Sequence, residues 1–539
     1  MNYKSQRNKK KFSKEESRNT KRFPKDREDT GKFDKGPEND PSWYTFNNTV
    51  VNDAASFSYS DPLGYPIKQD LHVGGLSSRF NTVPTLMDIH FTPTLGDTVH
   101  GTMAPVNMQC RAIYTKLQSK VSVKLPFCAA DLAIHFGAVD SLYILYTFCQ
   151  RIYGVWKSYM AMDRSMPNVY YRAFKLDPST MEDDMSMIAF KHELNKIGTD
   201  LARFYIPAGL KIFQRHVWMC ANIFLDSPSI KAQQYMFVPS GIWEFDDSLE
   251  GPQNSIGGRL KYVPLPDFSS SGLKGIIQFF TGLIEKITNN MDVWMLNSYI
   301  LRAYDDNQVF KIPVIEDNFS IMPVYVPEVL PQIHNLRVVG VLNSATQQYI
   351  VQNNNDDVSW TPITVCPYTG CFNQRQDHII DQPMNDPTPA DNLIATRLMV
   401  VGQTISAGGE NPRCAIKHFG TEIVNYICVR AGVGAGSQID VTLHTLAIPC
   451  GNTQTNALTF DFEVMQGLTM LSHFAWAPMP MLTTDDNTDE TYTADAEWID
   501  AMSDFTNYTT IGDDDIRKIH EAAVMGEWFI PDDIMLNVR

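Results

Sequence analysis

The chain has 539 residues and a formal net charge of −16, from 45 Lys+Arg against 61 Asp+Glu. Its 43% hydrophobic and 11% aromatic content is globular and excludes a collagen-like, wholly disordered or disulfide-scaffold chain. The charge is unevenly placed: residues 1–40 hold 13 bases and 8 acids (+5), and the remainder holds 32 and 53 (−21).

Within residues 1–22 nine bases face two acids, a balance of +7. Residues 1–40 are poor in apolar side chains and close on Gly36-Pro37, so they read as a disordered basic arm. Lys4, Arg7, Lys9, Lys10, Lys11, Lys14, Arg18, Lys21 and Arg22, interleaved with Asn, Ser and Gln, are the candidate RNA-binding residues. Flexible bases neutralise phosphates without reading sequence. A solvated tail or an import address at Lys9-Lys10-Lys11 are the other readings. The start lacks an apolar h-region, so no signal peptide is expected, and Glu15, Glu16 and Asp26 argue against a mitochondrial presequence. The nine Cys are scattered and odd in number, which suits reduced intracellular thiols, and the sequons at Asn47, Asn318 and Asn507 then carry no glycan. Order is expected from Trp43-Tyr44, the aromatic pair best suited to dock an extended segment in a groove.

Residues 105–225 read as helical. The apolar stretch Asp131 to Trp156 is interrupted by Asp131, His135, Asp140, Gln150 and Arg151, too polar to span a bilayer, and reads as a buried helix with Leu132, Phe136, Val139, Tyr143 and Tyr146 on one face. Two amphipathic helices follow, from Asp184 to Tyr205 and from Gly209 to Phe224. Ser269-Ser270-Ser271 then caps one long apolar helix to about Tyr304. The texture changes near residue 309: Val309–Ile315, Ile321–Val326, Leu336–Leu342, Gln347–Val351, Leu393–Val401, Ile423–Arg430 and Ile439–Ile448 are short β-branched runs and predict strands. Gly432–Gly436 lies between two of them as a hairpin loop. Helical pattern returns after Ala494.

No motif carries chemistry securely. Gly512-Asp513-Asp514-Asp515 matches a polymerase carboxylate loop in letters, but the acids open an amphipathic segment, Ile516 to Val524, and suit a helix N-terminus. His192-Glu193 lacks the second His of a zinc protease, since position 196 is Lys. Cys366 and Cys371 could pair with Cys414 and His418 around zinc; the alternative is unrelated buried or loop cysteines. His216, beside an apolar helix face, reads as a hydrogen-bonded packing residue, because catalysis needs a positioned partner that the sequence does not identify. The tract Thr484–Asp515 holds eleven acids and no base, which repels phosphate. No catalytic residue, metal ligand or cofactor is assigned.

A disordered basic arm ahead of an acidic body with two textures and no catalytic motif is a common layout of viral coat proteins. Particular segments carry a closer resemblance: Asn39-Asp40-Pro41-Ser42-Trp43-Tyr44, Asp53-Ala54-Ala55-Ser56-Phe57, Ala104-Pro105-Val106-Asn107 and Asp140-Ser141-Leu142-Tyr143. Arg215-His216-Val217-Trp218-Met219-Cys220, Asp226-Ser227, Lys231-Ala232-Gln233-Gln234-Tyr235-Met236-Phe237-Val238-Pro239, Pro323-Val324-Tyr325 and Glu328-Val329-Leu330-Pro331-Gln332-Ile333-His334-Asn335 continue it in order. The chain resembles the picobirnavirus capsid proteins over residues 39–335, with no recognisable motif beyond 340.

The resemblance implies an α+β fold, with a mostly helical shell domain and a β-rich projecting domain behind the disordered basic N-terminal arm. The corresponding divisions are 1–40, the arm; 41–335, the shell domain; 336–465, the projecting domain; and 466–539, a helical return to the shell. It implies a structural protein that forms symmetric dimers, about sixty to a small icosahedral particle, around segments of double-stranded RNA. The implied partners are a second copy, viral double-stranded RNA and the viral polymerase inside the particle, without stable membrane insertion. The implied location is the virion, after synthesis in the host cytoplasm. Some family members are thought to cleave their own arm, but no residues here mark such a site. The competing readings are an RNA-processing enzyme with a basic tether, acting through His216 or Asp513–Asp515, and a cytosolic scaffold.

Overall fold

The computed structural model describes residues 41–60, 63–64, 66–68, 80–159, 167–229, 231–248, 257–304, 309–342, 348–353, 355–360, 364–365, 377–406, 413–432, 439–452, 462–485 and 498–530. The arm, with its nine candidate bases, lies outside the described residues. The chain divides into two units, 1–61 and 62–539.

In the first unit a single turn, Pro41–Trp43, precedes α1 (Asn48–Ala55). Asn47 caps α1, its side-chain oxygen accepting the Thr49 N–H at 3.0 Å. That bond satisfies one of the helix's orphan donors.

The second unit opens on β1 (Pro66–Lys68), β2 (Phe80–Thr82) and β3 (Leu86–Pro93). Five helices follow: α2 (Pro105–Ser119), α3 (Ala129–Tyr159), α4 (Pro167–Ala173), α5 (Met187–Leu201) and α6 (Lys211–Ala221). Next come β4 (Phe224–Leu225), β5 (Gln234–Pro239), β6 (Gly241–Asp246) and β7 (Arg259–Pro264), then α7 (Gly272–Thr288), α8 (Met291–Tyr304) and α9 (Leu330–His334). Strands β8 (Tyr349–Gln352), β9 (Val358–Trp360), β10 (Thr364–Val365) and β11 (Asp377–Asp381) lead to α10 (Pro389–Ala395). After β12 (Val401–Ser406), β13 (Arg413–His418), β14 (Glu422–Ala431), β15 (Ile439–Leu443) and β16 (Ala447–Asn452) stands α11 (Phe462–Leu471). The remaining described elements are β17 (Met481–Asp485), β18 (Trp498–Ala501), β19 (Tyr508–Gly512) and α12 (Asp513–Trp528). This is an α+β fold.

Helix α3 is the hub. It is long and apolar enough to cross a membrane by composition, yet that window is wholly buried inside the protein. It packs against α2, α5 and α6 and against β6, and Leu132, Phe136, Val139, Tyr143 and Tyr146 all sit in the main core. Arg151, buried on the same helix, donates to the carbonyls of Asn222 at 3.0 Å and Phe237 at 2.6 Å. A buried guanidinium is tolerated only where its donors are taken up in this way.

The central sheet runs β15-β14-β3-β5-β4, with β3 parallel to β5 and antiparallel to β14. Every residue of β3 is buried. Its alternation puts Met87, Ile89 and Phe91 into a second apolar cluster, while Asp88, His90 and Thr92 take the opposite face and find polar partners. A second sheet, β6-β7-β8-β9, is antiparallel throughout. Pairing therefore crosses residue 335 twice, since β14 joins β3 and β8 joins β7. Residues 62–539 form one compact unit, and two strands from the expected projecting segment, β14 and β15, lie in the central sheet.

Several expected elements differ. The long helix to Tyr304 is two helices, broken where the Asn290 side chain accepts the Asp292 N–H at 2.9 Å and caps α8. Val309–Ile315 and Ile321–Val326 contribute only isolated bridges, at Val309 and Val324. Leu336–Leu342 forms no named strand; it is buried except at Val341, and Gly340 has a left-handed backbone at φ +89°. Leu393–Val401 is the end of α10 and the approach to β12, because Thr388 and Asp391 form a reciprocal capping box with Pro389 at the first helical position. Ile423–Arg430 falls within β14, and β14 and β15 are antiparallel neighbours, while residues 433–436 of the expected hairpin loop lie outside the described residues. After Ala494 the first described elements are β18 and β19, with helix only from Asp513.

Candidate functional site: a buried ionic network at the junction of the sheets and helices

One cluster of titratable side chains is built from five parts of the chain. Asp140 comes from the middle of α3, Arg215 and His216 from α6, Arg397 from the turn after α10, Thr421 and Glu422 from the start of β14, and Glu527 from the end of α12. His216 is fully buried and donates from Nδ1 to Asp140 Oδ2 at 2.6 Å, while its Nε2 lies 3.4 Å from Glu422 Oε1. Arg215 grips Glu422 with two bonds, Nε to Oε1 at 2.5 Å and Nη2 to Oε2 at 3.1 Å, and reaches Gln332 at 3.1 Å. Glu527 pairs with Arg397 at 3.2 Å and accepts from the Thr421 hydroxyl at 2.9 Å. Three cations thus meet three carboxylates, all buried except Arg215 and Glu527, which are partly exposed.

Burial by itself would lower the His216 pKa, but the Asp140 carboxylate, aided by Glu422, outweighs it and holds the imidazole up to about 10. Burial likewise pushes Glu422 up, and the Arg215 and His216 cations overcome it, leaving the carboxyl well below the ordinary range. Asp140 is raised by burial, with His216 opposing. At neutral pH His216 is therefore an imidazolium locked between two carboxylates. An imidazolium has no lone pair with which to accept a proton, so it cannot serve as a general base.

A second network crosses the central sheet. Arg430 on β14 holds Asp88 on β3 with bonds of 2.7 and 2.9 Å, and His90 bonds the same carboxylate at 2.6 Å. Asp440 on β15 bridges Arg430 at 2.8 Å and Arg172 of α4 at 2.9 Å. Burial raises Asp88, but Arg430 and His90 prevail and bring its pKa down to about 2.

Residues 43–454 match the family described as picobirnavirus capsid protein. The chain belongs to the picobirnavirus capsid protein family. It is 24% identical over 562 aligned positions to the capsid protein precursor of a human picobirnavirus (strain Human/Thailand/Hy005102/-), covering 97% of each chain. Its fold matches the X-ray structure of the picobirnavirus capsid with a TM-score of 0.76 at 18% identity, over 93% of this chain and all of that one.

Family membership places the remaining candidates. In this picobirnavirus capsid family member, His216 and Arg215 lie in the ordered segments that carried the resemblance; the structure brings His216 to Asp140 of another such segment and Arg215 to Gln332 of a third. The pairing with Glu422 and Glu527 was not visible from the sequence. The one hint was an acid in mid-helix among apolar neighbours, which demands a buried partner. Asp513, Asp514 and Asp515 form the first turn of α12, with Asp513 accepting from His378 at 2.6 Å. His192 and Glu193 lie on α5, where Glu193 pairs with Lys196. His418 bonds Asp97 at 2.9 Å. Cys366 and Cys371 lie outside the described residues, and among the described residues no cluster of ligands could hold a metal. Trp43 and Tyr44 are 62% and 64% exposed, and Phe46, Phe57 and Tyr59 are more exposed still, so the first unit carries an aromatic surface that it does not itself bury.

Proposed function

We propose that the chain assembles through symmetric dimers into a small icosahedral shell around double-stranded RNA, with residues 1–22 neutralising phosphates without sequence preference. The observation that carries this reading is the family match over residues 43–454, joined to a +7 arm that precedes it on a −21 body. The charge division supports two roles. Acidic outer surfaces keep particles apart, and inward arms concentrate positive charge on the genome.

The buried networks fit a structural role, since they tie helices, sheet and the C-terminal helix into one body. We keep residues 336–465 as the source of the projecting region and 466–539 as the return to the shell; of these, β14 and β15 lie in the central sheet, β8 and β9 pair onto β6-β7, and α12 packs on α2 and α6. The viral polymerase is a further proposed occupant of the particle, and self-cleavage of the arm has no site that we assign.

Expression of the full chain followed by size-exclusion chromatography and negative-stain microscopy tests the assembly. Closed particles are expected, and a monomeric peak under assembly-permissive conditions overturns it. Replacing Lys4, Arg7, Lys9, Lys10, Lys11, Lys14, Arg18, Lys21 and Arg22 by Gln should leave particles that carry little RNA. Unchanged RNA content overturns the role of the arm.

A further inference from the structure

One face of the acidic body is basic. Between Asp97 and Asp131 the sequence contains no Asp or Glu, while Arg111, Lys116, Lys120 and Lys124 all fall there. Arg111 and Lys116 are on α2, Lys120 is its C-cap, and Lys124 follows in the loop to α3. Helix α8 packs against α2 and adds Arg302.

Aromatic rings occupy the space between these cations. Tyr114 meets Phe127 edge-on at 6.1 Å, Phe127 meets Tyr299 at 5.7 Å, and the Arg302 guanidinium stands 5.6 Å from the Tyr299 ring centre. Lys116 Nζ sits 3.9 Å above the Tyr304 ring. An open groove of about 630 Å³ lies here, walled by Arg111, Tyr114, Lys124 and Phe127 together with the acids Asp131 and Asp356.

Lys120, Lys124 and Arg302 are exposed and form no ion pair among the described residues. Arg111 is paired with Asp357. The cation–ring contacts hold Lys116 and Arg302 in place, while Lys120 and Lys124 stand exposed beside them. Fixed cations on a body that otherwise repels polyanions suit a partner with regularly spaced negative charge. We propose that this face of α2 and α8 is a second contact for the RNA phosphate backbone, separate from the arm. The inference rests on the reading of the chain as a coat that encloses RNA, and it places this face on the interior of the particle. Lys and Arg contacts to a double-stranded RNA backbone position the duplex without reading its bases.

The test uses the full chain with the nine arm bases replaced by Gln, titrated against a labelled RNA duplex by fluorescence anisotropy at increasing salt. Residual, salt-sensitive binding is expected. Adding Lys120→Glu, Lys124→Glu and Arg302→Glu should remove it and flatten the log–log salt slope by about 2–3, close to one for each phosphate that is no longer neutralised. Asp356→Asn should tighten binding. Since all three cations are exposed, an unchanged thermal midpoint is expected for the triple variant, and a Gln triple serves if the Glu triple does not fold.

No binding by the arm-neutralised chain, or equal binding by it and its triple variant, overturns the second contact. Failure of the arm reading is separately visible, because the wild-type and arm-neutralised chains would then bind equally. Vesicles containing phosphatidylserine run in parallel. Loss of vesicle binding in the triple variant with RNA binding intact assigns the face to a membrane and overturns the proposal.

Discussion

Replacing His216 by Gln removes the central cation of the buried network and, with it, one pH dependence of stability. The imidazolium is faced by Asp140 from α3, Glu422 from β14, Arg215 from its own helix and, through Arg215, Glu527 from α12. Its pKa is about 10 in the folded chain against an ordinary 6.5. A raised folded pKa means that the folded state holds a proton the unfolded state has released. The stabilisation is complete below pH 6.5 and declines as pH rises towards 10. Over that window the decline is about 1.4 kcal/mol per pH unit, reaching about 5 kcal/mol.

Urea unfolding of the unassembled wild-type chain and of His216→Gln at one protein concentration, at pH 6 and again near pH 9.5, gives four stabilities. Other titrating groups contribute to both chains and cancel in the double difference. The variant should be several kcal/mol weaker than wild type at pH 6, in the range of about 3–5 kcal/mol for breaking a buried ion pair, and nearly equal to it near pH 9.5. A variant whose deficit is the same at both pH values would refute the assignment of His216 as a buried cation and leave it a neutral packing group.

Asp88→Asn should abolish the acid sensitivity conferred by the β3–β14 pair. The lowered pKa of about 2 makes that contribution full above pH 3.8 and lost as pH falls towards 2, so wild type and variant should converge in acid unfolding there. Trp528→Ala opens a cavity in the main core beside Phe136 and should cost about 3–5 kcal/mol by chemical denaturation. Gly96→Ala should destabilise by about 1–3 kcal/mol, read as a lower thermal midpoint. Its backbone is left-handed at φ +89°, and an added Cβ would stand 2.6 Å from Val524 Cγ1 on α12.

Local pattern made much of the fold legible. The run Ile423–Arg430 is apolar and β-branched and lies in β14, and the face Leu132, Phe136, Val139, Tyr143 and Tyr146 is the core stripe of α3. Pairing was not legible, because nothing local in Glu422–Ala431 names Leu86–Pro93 as its neighbour. Short apolar runs were ambiguous for the same reason. Leu393–Val401 has strand composition, and only the Thr388–Asp391 capping box ahead of it sets a helix. The network followed the same rule: His216 and Asp140 were each visible as polar groups on apolar helices, but Glu422 and Glu527 reach them by tertiary folding alone.

The ionic network includes Glu527, so it closes only after that residue has left the ribosome. The basic residues 4–22 emerge some 500 residues earlier. At about 5–20 residues per second this interval is roughly 25–100 s. For that period the segment we propose to bind RNA has been synthesised and the network of the body is not yet closed. On that proposal, order of synthesis becomes a timer that would give nucleic-acid capture a head start over subunit association without any switch in the protein.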